Sequence, residues 1–281
     1  MSSSMKFAAL EPAIVCACAQ HERENENVRN YRHCLLFGQY FVKFGAYSSF
    51  YSEVMTLSYL ADLAKTEATA PRVPQVHHFF HNNGGMAYVV MEYICLAQVS
   101  AETLAAKAAQ AVRWMHGVPA PHDVVLGPKG NGRARHVVFK NCKAPLDFVS
   151  LGALERYFNK AVAKARHRSP TIADISIAKE RLVLTQSDMN TSNFGVDAAG
   201  RPVVLDFGEI GWLPESLDLY TLLRTTAFAR KVAEHLFGPD EATSLCSHPN
   251  LASMSEIRAL LAMAARPNLN LDNNGYERTS S

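Results

Sequence analysis

The amino-acid sequence predicts an α+β protein, strand-rich in its first hundred residues and helical after them. Two observations carry this. Residues 72–80 and 86–94 are apolar, β-branched and aromatic runs on either side of the turn signal Asn82-Asn83-Gly84-Gly85, which reads as an antiparallel hairpin. Beyond residue 100, apolar residues recur at helical spacing, as at Leu154, Phe158 and Val162. A length of 281 residues permits one bilobal unit or two small domains.

Residues 1–11 read as a loose tail. An apolar stretch at 14–19, a charged stretch at 20–30 and a second apolar stretch at 34–44 predict two or three strands separated by an exposed turn. Residues 39–45 alternate, with Phe41 and Lys43 on one face and Tyr40, Val42 and Phe44 on the other. A lysine in the middle of such a strand must find water or an anionic partner. Residues 49–65 then predict a helix on which Glu53, Leu57, Leu60 and Ala64 share one stripe, so that Glu53 points along the buried face. His77, His78 and His81 do not make a metal site, because only His77 and His81 share a strand face and no third ligand is near.

Residues 101–116 predict a helix that sends Trp114 and Met115 into a core. The stretch 119–145 is dominated by loop residues and carries a basic, glycine-rich patch at 129–135; no helix follows directly, so a flexible surface insertion is expected rather than a phosphate site. Residues 151–167 are helical and 181–185 form a strand. Residues 193–197 and 201–207 form a hairpin around Ala198, Ala199 and Gly200. A long helix is expected over 216–237 with Ser216 as its N-cap and Asp218 in its first turn, then a short helix over 254–265 and a disordered segment from 268.

Residues 186–208, QSDMNTSNFGVDAAGRPVVLDFG, carry the chemistry. If Val196 pairs near Arg201, Asn193 falls opposite Val204 or Leu205 and therefore beside Asp206. Two such oxygen donors suit Mg²⁺ held together with a phosphate, and Asp188 is left free to accept a proton from an attacking hydroxyl.

Asp188, four intervening residues, Asn193, and then Asp206-Phe207-Gly208 resemble the catalytic and metal loops of the protein-kinase-like fold. The Gly208-Glu209-Ile210-Gly211-Trp212, Pro214-Glu215 and Asp218-Leu219 that follow are similar to the aminoglycoside phosphotransferase and choline kinase family. That resemblance is specific over residues 182–222. It implies a bilobal protein-kinase-like fold, with an antiparallel-sheet nucleotide-binding lobe over 1–93 and a mainly helical catalytic lobe over 94–281. It also implies ATP and Mg²⁺ as cofactors, Asp188 as the catalytic residue, acting as base or as orienter of the hydroxyl, and Asn193 and Asp206 as metal ligands. Lys43 would contact the nucleotide phosphates and Glu53 would hold Lys43. Glu92 and Tyr93 would stand at the crossing between lobes where adenine docks, and Asp218 would brace the catalytic loop. The segment 119–145 resembles an insertion among fungal members. Two features depart from the family: Gln186-Ser187 stands where His-Gly is usual, and 21–30 contains no glycine for a phosphate-covering loop. Only 73 residues follow Gly208, room for about two helices, so an acceptor pocket is expected to be small, borrowed from the 119–145 segment, or completed by another chain.

Composition adds bounds. With 48% hydrophobic and 19% charged residues and a net charge of +2, nothing demands nucleic acid or an anionic membrane. No apolar run reaches the roughly 18 residues of a spanning helix. The apolar stretch at 6–19 is split by Glu11-Pro12, against a signal peptide, so a cytoplasmic address is expected. Six cysteines at 16, 18, 34, 95, 142 and 246 show no pairing or zinc spacing and read as reduced thiols. The leading function is an ATP- and Mg²⁺-dependent phosphotransferase acting on a hydroxyl of a small molecule. The alternative is a catalytically inactive kinase-like scaffold that binds nucleotide or a partner. A protein kinase fits less well, because no Ala-Pro-Glu segment follows Gly208. Neither the acceptor nor the oligomeric state is encoded in any recognisable motif.

Overall fold

The computed structural model describes residues 7–29 and 31–278. Its first part is a four-stranded antiparallel sheet, β1 (Cys34–Phe37), β2 (Tyr40–Ala46), β3 (Val76–His81) and β4 (Met86–Glu92), in the order β1-β2-β4-β3. Strand alternation sorts its two faces. Val42, Phe44, Tyr88 and Val90 pack on one side with Phe7, Ile14 and Cys18, whereas Ala87, Val89 and Met91 join the main core on the other. Lys43, paired with Val89 in the register, stands on that second face.

Residues 14–19 are not a strand. They belong to helix α1 (Glu11–Glu24), which lies on the outer face of the sheet and has a proline in its first turn. Ile14 and Cys18, four apart and each 1% exposed, form its buried stripe, and the charged residues after them complete the same helix on its wet side. The tail expected over 1–11 is anchored where it is described, because Phe7 is buried against Tyr40 and His77. Helix α2 (Tyr47–Ala64) covers the inner face with Phe50, Val54, Leu57, Leu60 and Ala61 buried.

The second part is built on helices α3 (Ala101–Gly117) and α4 (Leu151–Ala165), started by the Ser100 and Ser150 hydroxyls, which accept from the N–H groups of Thr103 and Ala153. Strand β5 (Leu182–Gln186) pairs antiparallel with β8 (Ile210–Pro214), and between them runs the short hairpin β6 (Phe194–Val196) and β7 (Pro202–Val204). Val196 pairs with Pro202, one residue from the expected register. The expected long helix after β8 is two helices, α5 (Glu215–Arg224) and α6 (Ala227–Phe237). Thr225 turns its hydroxyl back to the Thr221 carbonyl, and Thr226 caps α6 by accepting from Ala229. Ser216 is not an N-cap; it is buried and bonded to Glu180. With α7 (Pro239–Leu245) and α8 (Pro249–Met263), four helices rather than two follow Gly208 among the described residues.

The segment 119–145 is not a flexible insertion. Ala134, Val138, Phe139 and Ala144 are buried, and His136, fully enclosed, reaches the Leu217 carbonyl and the Thr221 hydroxyl of α5. Burial pushes the His136 imidazole down to about 3, so it is a neutral structural pin. Its Nδ1 accepts from the Val138 N–H, which leaves Nε2 to donate. The segment also pairs with β8, Gly127 and Trp212 exchanging two backbone hydrogen bonds of 2.9 Å. The expected disorder from 268 is likewise corrected: Leu269 and Leu271 are buried, and Arg156 and Tyr157 hold the carbonyls of Asn274 and Pro267. Residues 279–281 lie outside the described residues. Among the described residues, no helix is long and apolar enough to cross a membrane. All six cysteines are free.

The attachment of 119–145 depends on bare backbone at Gly211, where an added Cβ would lie 2.6 Å from the Gly127 carbonyl carbon. Gly211→Ala should lower the unfolding free energy by about 2 kcal/mol or more. Gly117→Ala, whose Cβ would meet nothing within 4 Å at the end of α3, should be neutral or stabilising by at most about 1 kcal/mol. Urea denaturation of the two variants beside wild type checks both.

Candidate active site

Strand β5 ends at Gln186 and releases Asp188 into a cleft between the sheet and the helical part. Three buried polar groups fix that release. The Gln186 side chain donates to the Asp206 carbonyl at 2.9 Å and accepts from the Asp188 N–H at 3.1 Å, so one amide pins both loops. Ser187 donates to the Arg135 carbonyl at 2.8 Å, and its N–H reaches the Glu209 carbonyl. Asn193 donates through Nδ2 to both the main-chain oxygen and Oδ2 of Asp188, at 2.9 Å each. Gln186, Ser187 and Asn193 are at most 4% exposed, whereas Asp188 is exposed. The acid is thus a surface carboxylate on an immobile mount. At the position where the resemblance implies a histidine, this chain has a glutamine that joins the two loops.

The hairpin does what the spacing requires. Leu205 donates to the Asn193 carbonyl, which brings Asp206 beside Asn193 at its open end. Asp206 is a non-glycine residue at φ 52°, a conformation retained only where surrounding contacts hold it. Its Oδ1 accepts from Lys43 Nζ at 2.9 Å and from the Gly208 N–H at 3.3 Å. Lys43 also meets Glu53 at 2.5 Å, and the three groups come from β2, α2 and the loop after β7. Burial works against the charge on Lys43, but Glu53 and Asp206 outweigh it and raise the lysine above its usual range. Burial likewise opposes ionisation of Asp206, yet Lys43 holds its carboxyl below the usual range.

The cleft, about 280 Å³, is lined by Lys43, Glu53, Asp188, Asn193 and Asp206, all expected from the sequence, and by Arg135 and Glu209, which were not. Burial, then the neighbouring Asp188, pushes the Glu209 carboxyl up to about 7, against the pull of Arg135. Glu92 and Tyr93 do not line this cleft. The Glu92 N–H is given to the Gln75 carbonyl and its carboxylate pairs with Arg72, while Tyr93 is 47% exposed. Asp218 stands 3.0 Å from His116 Nε2 rather than against the loop that carries Asp188.

Among the described residues no cluster of three or more His, Cys, Asp or Glu side chains could hold a metal. The donors at Asn193 and Asp206 nevertheless fit Mg²⁺ held jointly with a phosphate, which needs only one or two protein oxygens. Asn193 commits its nitrogen to Asp188, and its oxygen accepts a single 3.3 Å bond from the Ser192 hydroxyl, which leaves it a lone pair; Asp206 binds Lys43 through one oxygen and retains the other.

The profile of the phosphotransferase enzyme family (APH) matches residues 28–254. The chain belongs to this family. No curated protein gives a significant sequence match. Solved structures similar to this phosphotransferase-family chain include the gentamicin complex of APH(2")-IIa, 15% identical with a TM-score of 0.45 over 89% of this chain and 97% of that one. The streptomycin-ATP ternary complex of the same enzyme is 17% identical, with a TM-score of 0.48 over 84% and 88%. ADP-bound APH(2'')-Ib is 15% identical, with a TM-score of 0.47 over 92% and 98%. The fungal affinity read for 119–145 gains no support from these matches.

Replacing Gln186 by leucine should leave the Asp206 carbonyl and the Asp188 N–H without their partner and cost about 1–3 kcal/mol in urea denaturation. Glu209 sets a pH dependence. Its carboxyl titrates near 4.5 when unfolded and about 7 when folded, so the folded state binds more protons between those values. Stability should therefore fall as pH rises through that window, and Glu209→Gln should flatten the slope of the urea midpoint measured from pH 4.5 to 8.

Proposed function

We propose that this family member transfers the γ-phosphoryl group of ATP, with Mg²⁺, to a hydroxyl of a small molecule. The observation that carries the reading is the convergence of Asp188, Asn193, Asp206, Lys43 and Glu53 on one cleft. Asp188 accepts the proton of the acceptor hydroxyl. That oxygen bonds to the γ-phosphorus as the bond to the β,γ-bridging oxygen breaks, and the electron pair leaves with ADP. Asn193 aims Asp188 through its amide nitrogen, and Gln186 holds the two loops in register. Lys43, held by Glu53, contacts the nucleotide phosphates. Asn193 and Asp206 would hold Mg²⁺, which when bound offsets charge on the phosphates. Adenine would dock against the backbone around Tyr93, where the chain leaves the sheet. Most of the catalysis would come from placement and electrostatics, for which a rigid loop is the structural requirement.

One observation favours the second reading, a nucleotide-binding scaffold without turnover. The β1–β2 connection is a two-residue turn, Gly38-Gln39 with Gly38 at φ 60°, and it contributes no residue to the cleft, so phosphates lack the usual cover.

Calorimetry with ATP and Mg²⁺, together and separately, tests the roles. Asp206→Ala should abolish Mg²⁺-dependent ATP binding. Asp188→Asn should preserve binding and reduce turnover by about 10²- to 10⁴-fold against a hydroxyl acceptor found by screening. Equal loss of binding in both variants would refute the assignment; full Mg²⁺-dependent binding without turnover on any acceptor would select the scaffold.

A further inference from the structure

Arg135 enters the cleft from the segment that the sequence marked only as a basic loop. Its backbone is held rigidly: its carbonyl accepts from Ser187, it bridges to Lys143, and it sits between Ala134, 3% exposed, and fully buried His136. Its guanidinium is different. Half-buried and lining the cleft, it has no hydrogen bond or ion pair to any described residue. The same segment's Arg133 is spent on Asp147, and Lys129 on Asp123. Glu53 and Glu209 feel the charge of Arg135, yet neither closes on it. A half-buried cation held on a fixed backbone without a partner is suited to an anion that arrives from solution.

Position selects the anion. Ser187, which holds the Arg135 carbonyl, directly precedes Asp188, so Arg135 rides on the mount of the residue that would meet the acceptor hydroxyl. Lys43 faces it from the sheet side, already balanced by two carboxylates. The β1–β2 turn supplies nothing between them. A guanidinium presents a planar fork of donors that matches the non-bridging oxygens of a phosphoryl group.

Resting on the phosphotransferase reading above, we infer that Arg135 grips the γ-phosphoryl group of ATP. It thereby supplies from the helical side the contact that the short β1–β2 turn does not make. The reaction balance is unchanged: Arg135 donates hydrogen bonds to phosphoryl oxygens and neither gains nor loses a proton.

The test is calorimetry of AMP-PNP and ADP, each with Mg²⁺, on wild type, Arg135→Ala, Arg135→Lys and Arg133→Ala. Arg135→Ala should weaken AMP-PNP roughly tenfold or more while changing ADP by less than about twofold, because only the former carries a γ-phosphoryl group. Arg135→Lys should fall between, and Arg133→Ala should change neither. Unaltered discrimination in Arg135→Ala, in a protein whose wild type binds AMP-PNP, would overturn this inference alone and point to an acidic group on the acceptor. Equal weakening of both nucleotides with a lowered melting temperature would overturn it in favour of a structural role. A wild type that binds neither nucleotide would overturn the phosphotransferase reading and this inference with it.

Discussion

One ammonium group between two carboxylates ties the molecule together. Lys43 lies on the sheet, Glu53 on α2 and Asp206 on the loop after β7, and the contacts of 2.5 and 2.9 Å connect elements up to 163 residues apart in sequence. Removing one partner of such a set leaves an uncompensated charge in a partly buried place, which costs far more than the net strength of the pair. The strand, the helix and the loop are therefore constrained to meet at one point. The phosphotransferase reading follows from what else is brought there.

The cleft divides its labour between buried supports and exposed reactive groups. Gln186, Ser187 and Asn193 are buried and bonded to main chain on both sides, while Asp188 and Asp206 turn their carboxylates outward. A buried amide or hydroxyl in such a place is expensive to leave unpaired, so each support has few alternatives to its observed pose. The departure at Gln186 makes the point: what the site needs there is a group that donates to one loop and accepts from the other, and a glutamine does both. The strained backbone at Asp206 is tolerated because Lys43, the Gln186 amide and the Gly208 N–H all hold it.

The parts of this arrangement legible in the sequence were those set by local spacing. The hairpin places Asn193 beside Asp206 because few residues separate them, and strand and helix periodicities alone turn Lys43 and Glu53 inward. Four features were not legible, each because distant packing decides it. Helix α1 was hidden because its apolar and charged halves look like separate elements until Ile14 and Cys18 are seen to share a stripe. The break at Thr225-Thr226 depends on hydroxyls competing for backbone groups, including the Met189 carbonyl that Thr226 reaches across the fold. Residues 268–278 are polar in composition but ordered by Leu269, Leu271 and the arginine and tyrosine of α4. Arg135 lies in a segment without periodicity; the signal the sequence carries there is the apolar content around it, Ala134, Val137, Val138 and Phe139, which a solvated loop would not carry.

The electrostatics of the cleft argue that it is built for a ligand rather than for stability. Four carboxylates, Glu53, Asp188, Asp206 and Glu209, share it with two cations, Lys43 and Arg135. A site selected only to hold the fold would pair these charges locally. Instead Lys43 serves two carboxylates, Glu209 has its ionisation opposed by burial and by Asp188, and Arg135 stands unpaired among the described residues. Nearby like charges disfavour one another's ionised forms, and a partly buried cation without a partner is a further cost. A cation at Asn193 and Asp206 together with an anion at Lys43 and Arg135 would satisfy both deficits at once, and a metal-bound nucleoside triphosphate is a ligand of that charge pattern. Local charge frustration of this kind is where binding energy can be recovered, and it coincides here with the cleft proposed above to carry the phosphoryl transfer.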